Sequence, residues 1–213
     1  FSSDNGGVGG YERPGGLIVD RGNTPDRTAL SVTDNEPLRS GKGSLYEGGI
    51  RVPFIARWPG VAPREAVCDE PSIHVDLYPL DGKSLVPLMR DPTGHLDRDA
   101  IYQHFPGYLG SGPGKWRTTP VGVIQSGSWK LMEYFESSSL ELYNLSEDLG
   151  ETRNRARENP DVASELHGKL VAWRKAVNAP MPKSREAVAG DGADKPVKAP
   201  PKRVKKAGQP ADE

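Results

Sequence analysis

Short apolar runs separated by turn residues dominate the stretch 100–145 and predict four strands, at 100–105, 120–125, 129–135 and 140–145. Ser126-Gly127-Ser128 supplies a hairpin turn between the second and third, and Ser137-Ser138-Ser139 a turn before the fourth. Strands spaced this closely leave no room for crossover helices, so the expected sheet is antiparallel. The period then changes. Val162, Leu166, Leu170, Trp173 and Val177 fall at steps of 4, 4, 3 and 4, the apolar stripe of one helix. Asn159-Pro160-Asp161 opens it, with Asn as N-cap, Pro at the first position and a carboxylate in the first turn. Pro180 and Pro182 are expected to stop it, and its stripe to pack across the small sheet.

Elsewhere the pattern is weaker. Residues 6–43 are rich in Gly, Pro, Asn, Asp and Arg with little periodicity, and a loop that long is either functional or disordered. Residues 52–58 form an apolar run closed by Pro59-Gly60, expected as a buried strand followed by a turn. Asp76-Leu77-Tyr78-Pro79 reads as the start of a helix that never arrives, because Leu80 runs straight into Asp81-Gly82-Lys83-Ser84-Leu85. Beyond Pro182 there is no aromatic residue and too little apolar surface to offset the entropy of ordering. Residues 183–213 are therefore expected to be a disordered tail, its basic run Lys202-Arg203-Val204-Lys205-Lys206 solvated.

Composition narrows the class. The chain has 213 residues, enough for one large domain or two small ones. It starts at Phe1, and Ser2-Ser3-Asp4-Asn5-Gly6-Gly7 reads as a strand end entering a loop, so the expectation is a fragment. No run of eighteen apolar residues predicts a membrane span. A formal net charge of −1 gives no electrostatic case for nucleic acid or an anionic membrane. One cysteine, Cys68, excludes an internal disulfide and a cysteine-based zinc site.

Two places carry candidate chemistry. Asp4 and Asn5 put hard oxygen donors on adjacent residues, with glycines behind them that permit close approach. Such donors suit calcium or, less well, magnesium, although Asp-Asn-Gly is also a common turn. Lys42 lies between Gly41 and Gly43, where an ammonium and backbone N–H groups can face an oxyanion together. The spacing is not that of a P-loop, and a solvated loop lysine is the alternative.

The order of these segments is more informative than any one of them. Ser3-Asp4-Asn5-Gly6-Gly7, a polar loop, and then Pro37-Leu38-Arg39-Ser40-Gly41-Lys42-Gly43-Ser44-Leu45-Tyr46-Glu47-Gly48-Gly49-Ile50-Arg51-Val52-Pro53 resemble the type I sulfatase family. The resemblance continues through Trp58-Pro59-Gly60, Asp76-Leu77-Tyr78-Pro79, Asp81-Gly82-Lys83-Ser84-Leu85, Leu142-Tyr143-Asn144-Leu145 and Glu151-Thr152-Arg153-Asn154, and so covers residues 1–182.

It implies an α/β fold: the C-terminal part of an alkaline-phosphatase-like domain (1–95) and a small α+β subdomain of antiparallel sheet with a packed helix (96–182), ahead of the tail. It further implies hydrolysis of small-molecule or carbohydrate sulfate esters, export from the cell, and a calcium ion beneath the sulfate. Asp4 and Asn5 match two of the metal ligands, and Lys42 matches a lysine that contacts the sulfate. His104, at the end of a strand, is a further candidate for the substrate pocket, while His74, His95 and His167 are expected to be structural or peripheral.

The family's nucleophile is a formylglycine made in a Cys/Ser-x-Pro-x-Arg motif, expected upstream of Phe1. Cys68 does not supply it, because Asp69-Glu70-Pro71-Ser72 follows; Cys68 is expected to be a small packing residue. The family also usually has a helix and connection after Leu80, on the order of twenty residues by ordinary element lengths. A phosphonate or phosphodiester hydrolase of the same superfamily, or a non-catalytic remnant serving as a binding module, are the rival readings.

Overall fold

Four of the predicted runs do pair into one antiparallel sheet. The computed structural model describes residues 1–8, 35–77, 81–112 and 115–183. The greater part of the 6–43 loop, the junction at Leu80 and the tail after Lys183 lie outside the described residues. Chain order is α1 (Glu47–Ile50), a 3-10 turn (His74–Leu77), α2 (Val86–Arg90), β1 (Ile101–Phe105), β2 (Leu109–Gly112), β3 (Lys115–Thr118), β4 (Val121–Ser126), β5 (Trp129–Tyr134), β6 (Ser139–Asn144) and α3 (Pro160–Ala176). The main sheet runs β1-β4-β5-β6, and β2 and β3 form a separate two-stranded hairpin between its first two strands. Residues Phe1–Pro182 pack together as one unit.

Side-chain alternation decides what each sheet face meets. Ile124, Leu131 and Leu142 point to one face, where Ala163, Leu166 and Leu170 of α3 close over them. Tyr102 stacks flat on Trp173 of α3, with ring centroids 4.8 Å apart. Val121, Val123, Met132 and Tyr143 point to the other face, and Tyr46 and Leu45 pack there. The sheet is thus covered on both sides. That explains why Val121, Val123 and Ile124, and Leu131 beside Met132, are buried regardless of parity. Each such side chain contributes about 1.5–3 kcal/mol relative to exposure.

Helix α3 starts at Pro160 as expected, but Asn159 makes no side-chain cap; its amide donates instead to the Arg155 carbonyl. The helix ends before the prolines. Asn178 adopts a left-handed conformation (φ 51°) and Ala179 N–H returns to the Arg174 carbonyl at 2.9 Å, leaving Val177 exposed beyond the last turn.

Two expectations require correction. Residues 52–58 are not a buried strand: Phe54 makes a single bridge to Ser2, and Phe54, Ile55 and Trp58 are exposed. An apolar run becomes a buried strand only with a ladder partner and a covering layer, and among the described residues Phe1 and Ser2 alone pair with it. Cys68 is exposed rather than packed, because it lies on an irregular segment whose neighbours Ala66 and Val67 are exposed as well. The β2–β3 hairpin was not foreseen; its glycines at 110 and 112 erase the alternation that marks a strand.

Candidate functional site

The two candidate segments lie side by side, joined through their backbones. Lys42 N–H donates to the Gly7 carbonyl at 2.9 Å, and Gly6 N–H donates to the Gly49 carbonyl at 2.9 Å. The Asn35 amide bridges the same pair, donating to the carbonyls of Gly7 and Ser40 at 3.0 Å each. This approach requires glycine: a Cβ on Gly6 would lie 1.9 Å from the Gly48 carbonyl oxygen. Asp4 and Asn5 are therefore fixed next to the loop that carries Lys42, with Asp4 and Lys42 exposed and Asn5 half-buried.

Residues 39–48 close on themselves. Gly48 N–H donates to the Arg39 carbonyl at 2.9 Å, Ser44 N–H to the Gly41 carbonyl at 3.0 Å, and Gly43 turns the tip with φ +92°. Leu109 and Arg117 of the β2–β3 hairpin lie against Gly43, and the Arg117 guanidinium reaches the Lys42 carbonyl at 3.4 Å.

The base of the loop is ionic and buried. Arg39 donates to the Glu151 carbonyl at 2.8 Å and to the Tyr143 hydroxyl at 2.9 Å, with its guanidinium 3.8 Å over the Tyr46 ring. Glu47 N–H donates to Glu151 Oε2 at 2.7 Å. Lys130, with no exposed surface, sets Nζ 2.8 Å from Glu47 Oε1 and 2.9 Å from Glu151 Oε1. The second contact is off the hydrogen-bond direction and is ionic in character. Burial pushes the Glu151 carboxyl above the usual range, with Glu47 adding to the effect and Lys130 opposing it. The Tyr46 and Tyr143 hydroxyls donate to Glu141 Oε2 and the Tyr134 hydroxyl meets that of Tyr46; burial, reinforced by the Glu141 carboxylate, pushes all three phenols well above the ordinary tyrosine value.

His104 does not join this group. It lies on the α3 face of the sheet, where Nε2 meets the Pro180 carbonyl at 2.7 Å and the ring packs on Phe135 and Trp173. Tyr46 and the 39–48 loop lie on the opposite face. His74 pairs with Ser2, His95 with Glu70 and His167 with Glu133. Among the described residues no group of three or more His, Cys, Asp and Glu is arranged to hold a metal.

Comparison with known proteins gives this geometry a family. Residues 40–176 match the family model described as N-sulphoglucosamine sulphohydrolase, C-terminal. The chain belongs to the sulfatase family. Among its relatives, it is 37% identical over 180 residues to a sulfatase of Formosa agariphila, covering 71% of this chain and 32% of that protein. It is 30% identical over 196 residues to an N-acetylgalactosamine-6-O-sulfatase of Bacteroides thetaiotaomicron, covering 78% of this chain and 34% of the relative. The crystal structure of Ps i-CgsB in complex with k-i-k-neocarrahexaose shares the fold, with a TM-score of 0.60 at 23% identity over 88% of this chain and 39% of that one. This sulfatase chain spans about a third of the length of those two curated relatives. No helix among the described residues is long and apolar enough to cross a membrane.

Asp4 and Asn5 carry hard oxygen donors of the kind that calcium takes, and that ion takes about six to eight oxygens in all. The sequence marks Asp4, Asn5 and Lys42 as candidates. It does not show Arg39, Glu47, Lys130 and Glu151 as one cluster, because a lysine inside a strand reads as solvent-facing unless its partners on distant segments are known.

Proposed function

We propose that this chain supplies one wall of a sulfate-ester hydrolase site, in which Lys42 neutralises the sulfate and Asp4 and Asn5 contribute to a calcium site beneath it. The observation that carries the reading is the backbone joint between residues 6–7 and residues 42 and 49, which brings the segment that carries the oxygen donors next to the loop that carries the ammonium. The chemistry needs that pairing. A sulfate monoester spreads charge over its oxygens, so the protein accelerates the reaction chiefly by positioning the group and balancing that charge. A calcium ion held there would add electrostatic stabilisation and favour the ionised nucleophile. Lys42 provides a fixed positive charge, and the closed 39–48 loop holds it without reorganisation during reaction. The nucleophile in this reading is a formylglycine outside residues 1–213, since Cys68 lies outside any Cys-x-Pro-x-Arg motif. The exposed Phe54, Ile55 and Trp58 offer an apolar edge on which the rest of a longer sulfatase chain would pack.

Sulfated carbohydrates are the proposed substrate class. The support is the name of the Bacteroides relative and the oligosaccharide held by Ps i-CgsB. The reading is tested by hydrolysis of an aromatic sulfate ester by the full-length protein, before and after chelation. Turnover that falls on chelation and returns with calcium is expected. Cleavage of a phosphodiester with no cleavage of the sulfate ester would overturn it in favour of phosphate chemistry.

A further inference from the structure

The structure points to a set of positioning residues behind Lys42. We propose that Lys130 and Glu151, with Glu47, form a buried charge clamp that holds the Lys42 loop in register with residues 4–7. The proposal rests on the reading that Lys42 binds the sulfate.

Both ends of the loop converge on one residue. Arg39, where the loop opens, donates to the Glu151 carbonyl, and Glu47, near where it closes, donates its N–H to the Glu151 carboxylate. Lys130 reaches in from β5 and bridges the two carboxylates at 2.8 and 2.9 Å. Arg51 approaches the far oxygen of Glu47 at 3.5 Å. The loop cannot shift relative to the sheet without breaking directed contacts that water does not replace, since Glu47, Lys130 and Glu151 are all buried.

Stability alone is a weak reason for such a cluster. Desolvating an ammonium and two carboxylates is costly, and apolar side chains of similar volume often do as well or better. The position also stores backbone strain: Ser40 and Glu151 both take left-handed conformations, with φ of 65° and 51°. What the ionic arrangement adds is a fixed geometry. An apolar plug would tolerate sliding of the loop by a fraction of an ångström, and a sulfate-binding ammonium would not.

The test is a double-mutant cycle in the full-length sulfatase, read by KM and kcat with an aryl sulfate and by competitive inhibition with inorganic sulfate. Glu151→Gln keeps the shape and an oxygen for the Glu47 N–H while removing a charge. It is expected to raise KM and the sulfate inhibition constant together, by about tenfold, in the folded enzyme. In a Lys42→Ala background the same replacement is expected to change kcat/KM by less than about twofold, because the positioned group is gone. Glu47→Gln is expected to repeat the pattern and serves if Glu151→Gln does not fold. Equal losses in both backgrounds, or losses that track the folded fraction by circular dichroism, would show a merely structural role and overturn the clamp. If Lys42→Ala abolishes activity while both glutamine variants match wild type, the clamp falls and the site stands. If Lys42→Ala is itself near wild type, the site fails and the clamp with it.

Discussion

Gly6→Ala isolates the joint on which the site depends. Gly6 does not occupy the left-handed region, so alanine brings no backbone penalty, only its methyl group. That methyl would lie 1.9 Å from the Gly48 carbonyl oxygen, 2.8 Å from its carbon and 3.0 Å from Gly49 Cα, all backbone atoms that no rotamer change can move. The two segments must separate by more than about 1 Å to restore van der Waals contact. A displacement of that size takes the 2.9 Å bonds from Gly6 N–H to Gly49 and from Lys42 N–H to Gly7 beyond hydrogen-bonding range. Two lost bonds at about 0.5–1.5 kcal/mol each, plus residual strain, put the cost at roughly 2–3 kcal/mol. In a domain of this size that is a fall in Tm of about 4–12 °C. Differential scanning fluorimetry measures it, with Gly168→Ala as control: Gly168 lies in α3 with nothing within 4 Å of an added Cβ, so that change is expected to be neutral or stabilising. A Gly6→Ala protein within 0.5 kcal/mol of wild type by urea titration, or about that margin, would refute the close joint.

Three further outcomes follow from the same geometry. Leu170, fully buried against Ile124, Leu131 and Leu142, is expected to cost about 2.7–5 kcal/mol as Leu170→Ala, read from the urea midpoint, and a loss below 1 kcal/mol would contradict the helix–sheet core. Burial pushes Asp76 up, but hydrogen bonds from Arg98, Ile73 and Lys83 outweigh it and hold the carboxyl below its ordinary value, so its contribution is full above about pH 4 and fades as pH falls through the folded value. Asp76→Asn should therefore lower stability at pH 7, with the gap narrowing on acidification; a gap independent of pH would contradict this. The 213-residue chain alone is expected to show no turnover of an aromatic sulfate ester, and sustained hydrolysis above buffer would mean that its own residues contain the nucleophile.

The sequence made the sheet and α3 legible because period-2 and period-3.6 patterns survive wherever one face is buried. Strand ends shifted by a residue at most, and the turn at Gly127 took the positive φ that a hairpin there requires. The second covered face was written in the paired burial of Val123 with Ile124 and of Leu131 with Met132, but which segment covers it is a long-range fact. Residues 52–58 misled because apolar composition reports a tendency to be covered and says nothing of what covers it. The site divided in the same way. Asp4, Asn5 and Lys42 are candidates by their local motifs, whereas Lys130 and Glu151 stand out only through a contact 83 residues away and one 104 residues away. Asn159 shows the reverse error: the right residue type stands at the cap, yet its side chain makes no cap bond and its amide nitrogen donates back to the Arg155 carbonyl.

The most direct measurement of the central claim is kcat/KM of Lys42→Ala in the full-length enzyme with an aryl sulfate, alongside its thermal stability. Lys42 sits near the tip of a closed loop, exposed, with its backbone N–H donating to the Gly7 carbonyl. On the reading that Lys42 faces the sulfate, loss of its ammonium is expected to cost roughly 10²–10³ in rate beyond any loss of folded protein. Lys42→Arg should rescue poorly, since a planar guanidinium does not replace a compact point charge between two glycines. Near-normal activity in Lys42→Ala, or activity lost only in step with unfolding, would contradict the assignment of this loop to the sulfate site.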